Sequence, residues 1–243
     1  MPRFFIETPC TVGQELWITG EDGVHIAKSL RMKPGEALTL CDGKKTDYMC
    51  EVVEVQAKEA LVRVLSEGPS LGEPSVVVTL YQALPKADKM DSVVQKAVEC
   101  GATRIVPVFS ARCISRPDEK AARRKVERWQ RIALEAAKQC GRGIIPQVAP
   151  IMPFAKAIKE CAESGGHLLL CYEGGGKSLR GIALEQENRI ALFIGPEGGL
   201  EEHEVALSQE HGAQVITLGT RIFRTETAPV AALSALMLLT NNM

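Results

Sequence analysis

RIALFIGPEGGL, residues 189–200, joins an uninterrupted apolar run to a turn rich in glycine. A run that is apolar at consecutive positions predicts a strand buried on both faces, which is typical of a mainly parallel sheet. Further runs of this kind predict strands at Val76–Tyr81, Arg104–Val108, His167–Tyr172 and Val215–Leu218. The amphipathic stretches between them predict helices at Lys89–Cys100, Pro117–Cys140, Phe154–Cys161, Glu201–His211 and Thr227–Asn241. This alternation predicts an α/β domain with a parallel sheet and helices on both faces.

The longest predicted helix, Pro117–Cys140, carries its own boundary signals. Ser115 is a candidate N-cap with Asp118 three residues later, and Gly141 can end the helix. One face of the helix is basic, and two interpretations of it stay open: a solvated surface or a contact with an RNA backbone. This basic row consists of Lys120, Arg124, Arg128 and Arg131.

The first 70 residues follow a different pattern. Short runs rich in β-forming residues, with a hairpin signal at Asp42-Gly43, predict a small β-barrel that contains one short helix at about Gly23–Arg31. The segment Ser66–Pro74 is dense in turn-forming residues, as a linker is. We therefore predict two domains, a barrel at 1–70 and an α/β domain at 74–243. The predicted barrel strands are Phe4–Ile6, Leu16–Ile18, Ala37–Cys41, Tyr48–Val53 and Ala60–Leu65.

The composition is that of a globular protein, with 45% hydrophobic and 24% charged residues in 243. No run approaches the roughly 18 apolar residues of a membrane span, and the N-terminus does not resemble a signal peptide, so we expect a soluble cytoplasmic protein without membrane contact. The eight cysteines are scattered and do not group with the four histidines, which favours reduced thiols and no bound metal. The net charge of −1 neither demands nor excludes a nucleic-acid partner.

Two loops are the main candidates for chemistry, because ligands bind beyond the carboxyl ends of parallel strands. The glycine loop, Gly195–Glu202, lets a ligand approach the backbone closely, although a plain strand-to-helix turn has the same composition. The arginine loop, Gly219–Ala228, lies before an apolar helix, and its seven residues Arg221–Thr227 include two arginines, two threonines and a glutamate. Thr225 or Thr227 as a helix cap would explain the threonines, but capping does not explain both arginines.

Two alternative functions stay open at this point. Cys171–Ser178 resembles the end of a phosphate-binding loop and suggests a nucleotide-binding protein, but Cys171 stands where that motif needs glycine. The second alternative is an RNA-binding module without catalytic activity. Neither a dinucleotide-binding glycine motif nor a hydrolase nucleophile motif is present in the sequence.

With these loops in view, the chain resembles the SPOUT class of RNA methyltransferases, and more narrowly the RsmE-type enzymes that methylate N3 of a uridine in 16S ribosomal RNA. The resemblance runs nearly end to end, and the pair Ile194–Leu200 and Leu218–Ala228 is its most specific part. Two positions depart from the family pattern, since Phe223 replaces an expected leucine and Ala87 an expected glycine. The other matching segments are Arg3–Phe5, His25–Arg31, Ala83–Lys86, Lys89-Met90, Gln95–Ala97, Trp129, Glu135–Ala137 and Gln139–Arg142.

The resemblance implies a PUA-like RNA-binding barrel followed by a SPOUT methyltransferase domain with a trefoil knot. It also implies a cytoplasmic homodimer that uses S-adenosyl-L-methionine and acts on the 16S rRNA of the small ribosomal subunit. The knot rests on the resemblance alone, because general rules of chain topology argue against knots.

The resemblance also implies three groups of site residues. Those expected to act in catalysis are Arg221, Arg224, Glu197 and Glu226, and glutamates next to arginines should have lowered pKa values. Those expected to bind the cofactor are Leu169, Leu170, Cys171, Tyr172, Ile194, Gly195, Pro196, Gly198, Gly199, Leu218, Gly219, Ile222, Phe223, Thr227 and Ala228. Those expected to contact RNA are Arg3, His25, Arg31, Lys86, Lys89, Arg124, Arg128 and Arg142.

Overall fold

The structure is a computed structural model that describes residues 1–184 and 188–243. These residues form two compact units. The first consists of Met1–Glu73 together with Ala137–Ile145, and the second of Pro74–Ala136 together with Pro146–Met243. Within the described ranges, none of the helices combines the length and the apolar character that crossing a bilayer requires.

The first unit contains a sheet built around an apolar core. Its elements are β1 (Arg3–Phe5), β2 (Glu15–Ile18), α1 (Gly20–Val24), a π-helical segment (His25–Leu30), β3 (Ala37–Cys41), β4 (Thr46–Val55) and β5 (Ala60–Pro69). The strands follow the order β1-β3-β4-β5-β2. Strand β1 runs parallel to β3, and the other neighbours are antiparallel. Ile26, Leu38 and Val62 lie in the core of this unit.

Of two turn-rich segments predicted in this unit, one is confirmed and the other is wrong in part. Asp42-Gly43 forms the predicted hairpin turn, where the Asp42 carboxylate accepts hydrogen bonds from the amides of Lys44 at 2.7 Å and Thr46 at 3.0 Å. The predicted linker, Ser66–Pro74, is wrong in its first four residues. Strand β5 continues to Pro69 because its last residues pair with the start of β4.

The second unit contains a parallel sheet, which confirms the predicted α/β class. Its strands are β6 (Val77–Ala83), β7 (Arg104–Phe109), β8 (Gln147–Val148), β9 (Met152–Pro153), β10 (His167–Cys171), β11 (Lys177–Ser178), β12 (Arg189–Ile194) and β13 (Gln214–Thr217). Its helices are α2 (Lys89–Glu99), α3 (Glu119–Cys140), α4 (Phe154–Ser164), α5 (Glu202–Glu210) and α6 (Ala228–Leu239). The strand order is β11-β13-β10-β12-β6-β7-β8, with β9 beside β7.

The central strands form the interior of the second unit. Every residue of β12 after Arg189 is buried, as its continuous apolar run predicts. Tyr81 of β6 stacks on Phe193 of β12 with ring centroids 4.4 Å apart, and Phe154 meets the Phe193 ring edge-on at 5.7 Å. Aromatic pairs of this kind add to the stabilisation that burial supplies.

Helix α3 has the predicted end and a different beginning. The Asp118 carboxylate accepts a hydrogen bond from the Ala121 amide at 2.8 Å, so Asp118 caps the helix and the predicted cap at Ser115 is wrong. At the other end, Gly141 adopts φ of 79° and the Arg142 amide donates to the Ala137 carbonyl at 3.0 Å. This left-handed glycine ends the helix because residues with a Cβ rarely adopt that conformation.

Candidate active site

Four neighbouring strands bring the candidate loops to one edge of the second unit's sheet. β13, β10, β12 and β6 are adjacent and parallel, so their carboxyl ends lie together. In this register Cys171 pairs with both Ile194 and Ile216, and Ile194 pairs with Gln82. The glycine loop after β12 and the arginine loop after β13 therefore leave the sheet at the same edge, with β10 between their strands, and this is the edge where parallel sheets bind ligands.

The glycine loop makes a tight turn that needs its glycines. The Gly199 amide donates to the Pro196 carbonyl at 3.0 Å, and Gly199 adopts φ of 72°. A Cβ at Gly199 would collide with the carboxylate of Glu173, which extends from the loop after β10. Leu200 is buried behind the turn. The turn thus holds a carboxylate against its backbone, and sequence reasoning had not singled out Glu173.

The arginine loop is tied to the glycine loop by Thr225. The buried Thr225 hydroxyl donates to the Gly195 carbonyl at 2.8 Å and accepts from Gln82 Nε2 at 3.0 Å. Thr227 is the N-cap of α6 but makes no capping hydrogen bond with its side chain. The interpretation of Thr225 or Thr227 as a side-chain cap is therefore wrong, because the Thr225 hydroxyl is used between the loops.

Gln82 lies at the end of this chain of hydrogen bonds, and its side-chain oxygen accepts no hydrogen bond from the described residues. Its side chain is 0% exposed, and Nε2 also donates to the Ala83 carbonyl at 3.0 Å. Because the Thr225 hydroxyl donates to Gly195, it accepts from Gln82, and this sets the orientation of the amide. Gln82 Oε1 is the one buried side-chain nitrogen or oxygen atom without a hydrogen-bond partner in the described ranges. A buried acceptor without a donor costs about 1–3 kcal/mol, so a ligand donor here would be favourable.

Glu197 and Glu226 share one cation, Lys89. Its Nζ lies 3.0 Å from Glu197 Oε1 and 3.1 Å from Glu226 Oε2. The Lys86 amide also donates to Glu197 Oε1, at 3.1 Å. Lys89 begins α2, so both loops are joined to the start of that helix.

These contacts lower the pKa of both carboxyl groups. Partial burial acts to raise the pKa of Glu197, but hydrogen bonds from its own amide, Lys89 and Lys86 outweigh that effect. The pKa of Glu226 is lowered first by its own backbone amide and then by Lys89. The predicted direction is confirmed, but Lys89 is the main cation for both and Arg224 contributes little. Both glutamates are ionised at neutral pH and are weak bases.

Arg221 and Arg224 extend from the arginine loop into solvent. Neither guanidinium has a hydrogen-bond acceptor among the described residues. Ile222 between them is 83% exposed, which is unusual for a large apolar side chain. The loop thus presents two cationic groups and one apolar surface that a ligand could cover.

The other residues expected to bind the cofactor divide into two groups. Cys171, Tyr172 and Ile194 lie at or just beyond the carboxyl ends of β10 and β12. Gly195, Pro196, Gly198, Gly199, Leu218, Gly219, Phe223, Thr227 and Ala228 are in or next to the two loops.

The expectation that Leu169 and Leu170 bind the cofactor is wrong. Both are inside β10, their side chains are buried, and β10 pairs with β12 and β13 on either side. Their backbone groups are therefore used in the sheet and are unavailable to a ligand.

Arg112 supports the glycine loop and was missed by sequence reasoning. Its Nη1 donates to the Gly198 carbonyl at 2.9 Å, from the segment that follows β7. The neighbouring Ala111 amide donates at 2.9 Å to Glu204, a buried carboxylate that also closes the capping box of α5 with Glu201. Arg112 and Gly198 are far apart in the chain, so no local pattern could reveal the contact.

Ala87 holds a strained conformation next to the Lys86 amide that contacts Glu197. Its φ is 55°, which supports the expectation of a glycine at this position. A left-handed conformation costs a residue with a Cβ about 1–2 kcal/mol, and glycine loses about 0.5–1 kcal/mol through its more flexible unfolded chain. Ala87→Gly is therefore expected to raise the free energy of unfolding by up to about 1 kcal/mol, as measured by urea titration.

The control for this prediction is Ala122→Gly near the start of α3, which should lower the free energy of unfolding by about 0.5–1 kcal/mol. Equal losses in both variants would show that Ala87 is not strained.

In the first unit, two of the four residues expected to contact RNA are exposed, namely His25 and Arg31. Arg142 is only 2% exposed and forms a two-bond ion pair with Glu73, so its expected phosphate contact is wrong. Arg3 is mostly buried, and its Nη1 donates to Asp47 at 2.6 Å. Burial and pairing assign Arg3 and Arg142 to the folded core, because removing a paired charge from its partner is costly.

In the second unit, Lys86 and Arg124 are exposed, as an RNA contact requires. Lys89 is held by the two glutamates. Arg128 forms an ion pair with Asp91, whose other oxygen accepts a hydrogen bond from Trp129 Nε1 at 3.1 Å. Arg128 therefore supports the packing of α3 against α2. The other three residues of the basic row, Lys120, Arg124 and Arg131, are exposed.

The glycine segment after β10 does not form a phosphate-binding loop. In such a loop the lysine and serine begin a helix, whose amides bind phosphate. Here Lys177-Ser178 form strand β11 and pair with Ile216 and Thr217. A short 3-10 turn, Leu179–Gly181, follows instead of a helix, and the nucleotide-binding alternative is wrong on this geometry.

Two family models match the chain. The model described as an RNA methyltransferase domain matches residues 72–237, and the model described as an RNA methyltransferase PUA domain matches residues 18–65. Ribosomal RNA small subunit methyltransferase E of Bacillus subtilis (strain 168) is 33% identical over 97% of this chain and 96% of its own length. The protein of that name from Mycobacterium bovis is 30% identical over 98% of this chain and 92% of its own.

Solved structures give the same result. A ribosomal RNA small subunit methyltransferase E from Neisseria gonorrhoeae, bound to S-adenosyl methionine, has a TM-score of 0.89 at 35% identity and covers 98% of both chains. A putative methyltransferase from Legionella pneumophila in complex with the same cofactor has a TM-score of 0.87 at 32% identity and covers 97% of this chain and 96% of its own. The chain belongs to the family of RNA methyltransferases that combine a PUA domain with a methyltransferase domain.

Proposed function

We propose that this protein transfers a methyl group from S-adenosyl-L-methionine to N3 of a uridine in the 16S rRNA of the small ribosomal subunit. The observation that carries the proposal is the meeting of the glycine and arginine loops at one sheet edge, joined by the Gln82–Thr225–Gly195 hydrogen bonds. The full-length similarity to ribosomal RNA small subunit methyltransferase E supports the choice of substrate. The two domains at 1–70 and 74–243 would divide RNA binding from transfer.

The residues at this edge fit S-adenosyl-L-methionine. The cofactor joins a flat base and sugar hydroxyls to an amino acid, so it needs an apolar surface together with polar partners. Ile222 offers an exposed apolar side chain, Gln82 a buried acceptor without a donor, and Glu173 a carboxylate beside the glycine turn. The proposed binding residues are Cys171, Tyr172, Ile194, Gly195, Pro196, Gly198, Gly199, Leu218, Gly219, Ile222, Phe223, Thr227 and Ala228.

When bound, the cofactor supplies an electrophilic methyl group attached to a good leaving group. The chain must then orient uracil N3 and stabilise the negative charge that appears on the base when N3 loses its proton to hydroxide from the solvent. Arg221 and Arg224 carry out this stabilisation, because their guanidinium groups are exposed and have no acceptor among the described residues. Glu197 and Glu226 are ionised and bound to Lys89, so they position groups rather than accept the N3 proton.

RNA would contact exposed polar side chains in each unit. In the first unit these are His25 and the cation Arg31, and in the second they are Lys86 and the exposed part of the basic row. N3 lies on the Watson–Crick edge of uracil, so a paired uridine must be exposed before transfer. Phosphate contacts of this kind hold the RNA while the base enters the site.

Reversing two charges of the basic row should weaken RNA binding in a salt-dependent way. Arg124→Glu with Arg131→Glu is expected to lower the slope of log affinity against log salt by about 1 per residue, because each lost phosphate contact releases fewer counterions. The measurement is RNA affinity at several salt concentrations. The matched control is Lys156→Glu with Lys159→Glu on α4, two exposed lysines away from the row. Equal effects of both pairs would mean that the row is only a solvated face.

We further propose a homodimer, located in the cytoplasm, with the methyltransferase domain threaded into a trefoil knot. Helix α6 supports the dimer, since its sequence contains no charged residue and its Leu238 is 63% exposed. An apolar helix with an exposed face is typical of a subunit contact. The knot and the cytoplasmic location are supported by the family alone.

The proposed function is tested with radiolabelled S-adenosyl-L-methionine and small ribosomal subunits that lack the modification. Transfer of label to 16S rRNA is expected, together with a single stop of reverse transcription at the methylated uridine, because N3 methylation blocks base pairing. Absence of label in rRNA despite tight cofactor binding would contradict the substrate and leave another RNA as the target.

A further inference from the structure

One lysine joins the two loops that carry the proposed site. Glu197 belongs to the glycine loop and Glu226 to the arginine loop, and both carboxylates lie within hydrogen-bond distance of Lys89 Nζ. The three side chains are partly buried, with exposed fractions between 22% and 31%. Ion pairs in such surroundings are less screened by solvent than those on an open surface.

Lys89 is held in a rigid part of the second unit. It is the first residue of α2, whose Met90, Val93 and Val94 are buried. The same segment fixes Glu197 a second time through the Lys86 amide. The ammonium group therefore extends from a packed helix towards the two loops.

Without this cation, two carboxylates would face each other. Glu197 and Glu226 approach the same nitrogen atom from different loops, so they would repel each other if Lys89 were absent. The buried Thr225 hydrogen bond to Gly195 would still join the loops behind them. Loss of Lys89 should consequently open the solvent side of the loop pair without unfolding the protein.

We propose that Lys89 is a positioning residue that holds the glycine and arginine loops together by binding both glutamates, and that it does not serve as a phosphate contact. The proposal rests on the proposed methyl transfer from S-adenosyl-L-methionine, whose binding it would support. Because its partners are carboxylates of the chain itself, its charge is already neutralised before RNA arrives.

The test measures the affinity of the full-length protein for S-adenosyl-L-methionine by calorimetry, in the absence of RNA. Lys89→Met is expected to weaken binding about tenfold and to raise the KM for the cofactor more than it lowers kcat. Lys89→Arg should restore most of the affinity, because a guanidinium can also bind two carboxylates. Lys89→Met combined with Glu197→Gln and Glu226→Gln should bind better than Lys89→Met alone, since the repulsion is removed.

Lys96→Met is the matched control, because Lys96 is exposed on the same helix. It should leave cofactor affinity unchanged. An unchanged affinity of Lys89→Met would overturn the proposal, and so would a lower salt dependence of its RNA binding at normal cofactor affinity, which would identify a phosphate contact. If the unaltered protein does not bind S-adenosyl-L-methionine, the proposed function itself fails, and this result is separate from any effect of Lys89.

Discussion

Glu73→Ala is expected to lower the free energy of unfolding by about 3–5 kcal/mol, the usual cost of removing one partner of a buried ion pair. Glu73 Oε1 accepts hydrogen bonds from Arg142 Nε at 2.8 Å, the Gly143 amide at 2.8 Å and the Ile144 amide at 3.1 Å. Glu73 Oε2 accepts from Arg142 Nη2 at 3.1 Å. The substitution removes all four bonds and leaves the guanidinium buried without this carboxylate.

Unfolding in urea, followed by circular dichroism, measures the effect of Glu73→Ala. Glu67→Ala is the control, since Glu67 is exposed on β5 of the same unit and should change the free energy of unfolding by less than about 0.5 kcal/mol. Joint replacement of Glu73 and Arg142 by leucine and methionine should recover part of the loss, because it removes both charges. A loss below about 1 kcal/mol in Glu73→Ala would show that the pair does not support the fold.

Arg224→Ala is expected to lower kcat for methyl transfer about 100-fold while the protein stays folded. Removing a group that stabilises charge in the transition state typically costs about 100–1,000-fold. Arg224 is exposed and has no hydrogen-bond acceptor among the described residues, so its loss should not disturb packing. Single-turnover transfer at saturating cofactor measures the chemical step apart from binding.

Arg189→Ala is the matched control for Arg224→Ala. Arg189 is an exposed arginine of the same unit, but it begins β12 and therefore lies at the opposite edge of the sheet. Its substitution should leave kcat unchanged. Arg224→Lys should recover only part of the rate, because an ammonium group lacks the planar fork that binds a base. Near-normal turnover of Arg224→Ala would remove this residue from the proposed mechanism.

Much of the fold follows from local sequence patterns. The continuous apolar run of β12 predicted a strand buried on both faces, and the sheet places that strand between β10 and β6. Gly141 ends α3 as predicted, because a left-handed residue without a Cβ is a signal within one turn of the chain. Helix starts were harder to place, since Ser115 and Asp118 are both capping residue types and only the backbone path selects Asp118.

The candidate site was predicted in part. The two loops were found from their glycines and arginines, and their meeting follows from the parallel order of β13, β10 and β12. Leu169 and Leu170 were wrongly included, because sequence alone does not show that β10 has a partner on each side. The expectation of lowered pKa values for Glu197 and Glu226 was confirmed. The cation that mainly lowers them is Lys89, however, and not an arginine as expected.

The sequence by itself determined the α/β class, the positions of the two loops and the family, because these depend on residue type at short spacing. The tertiary structure alone decided which charges serve the site and which serve the fold. Arg142 and Lys89 were both expected to contact RNA. Instead, Arg142 is buried against Glu73, and Lys89 joins Glu197 to Glu226. The physical reason is that the energy of a charge depends on its burial and on partners far away in the chain, and neither is encoded in local sequence.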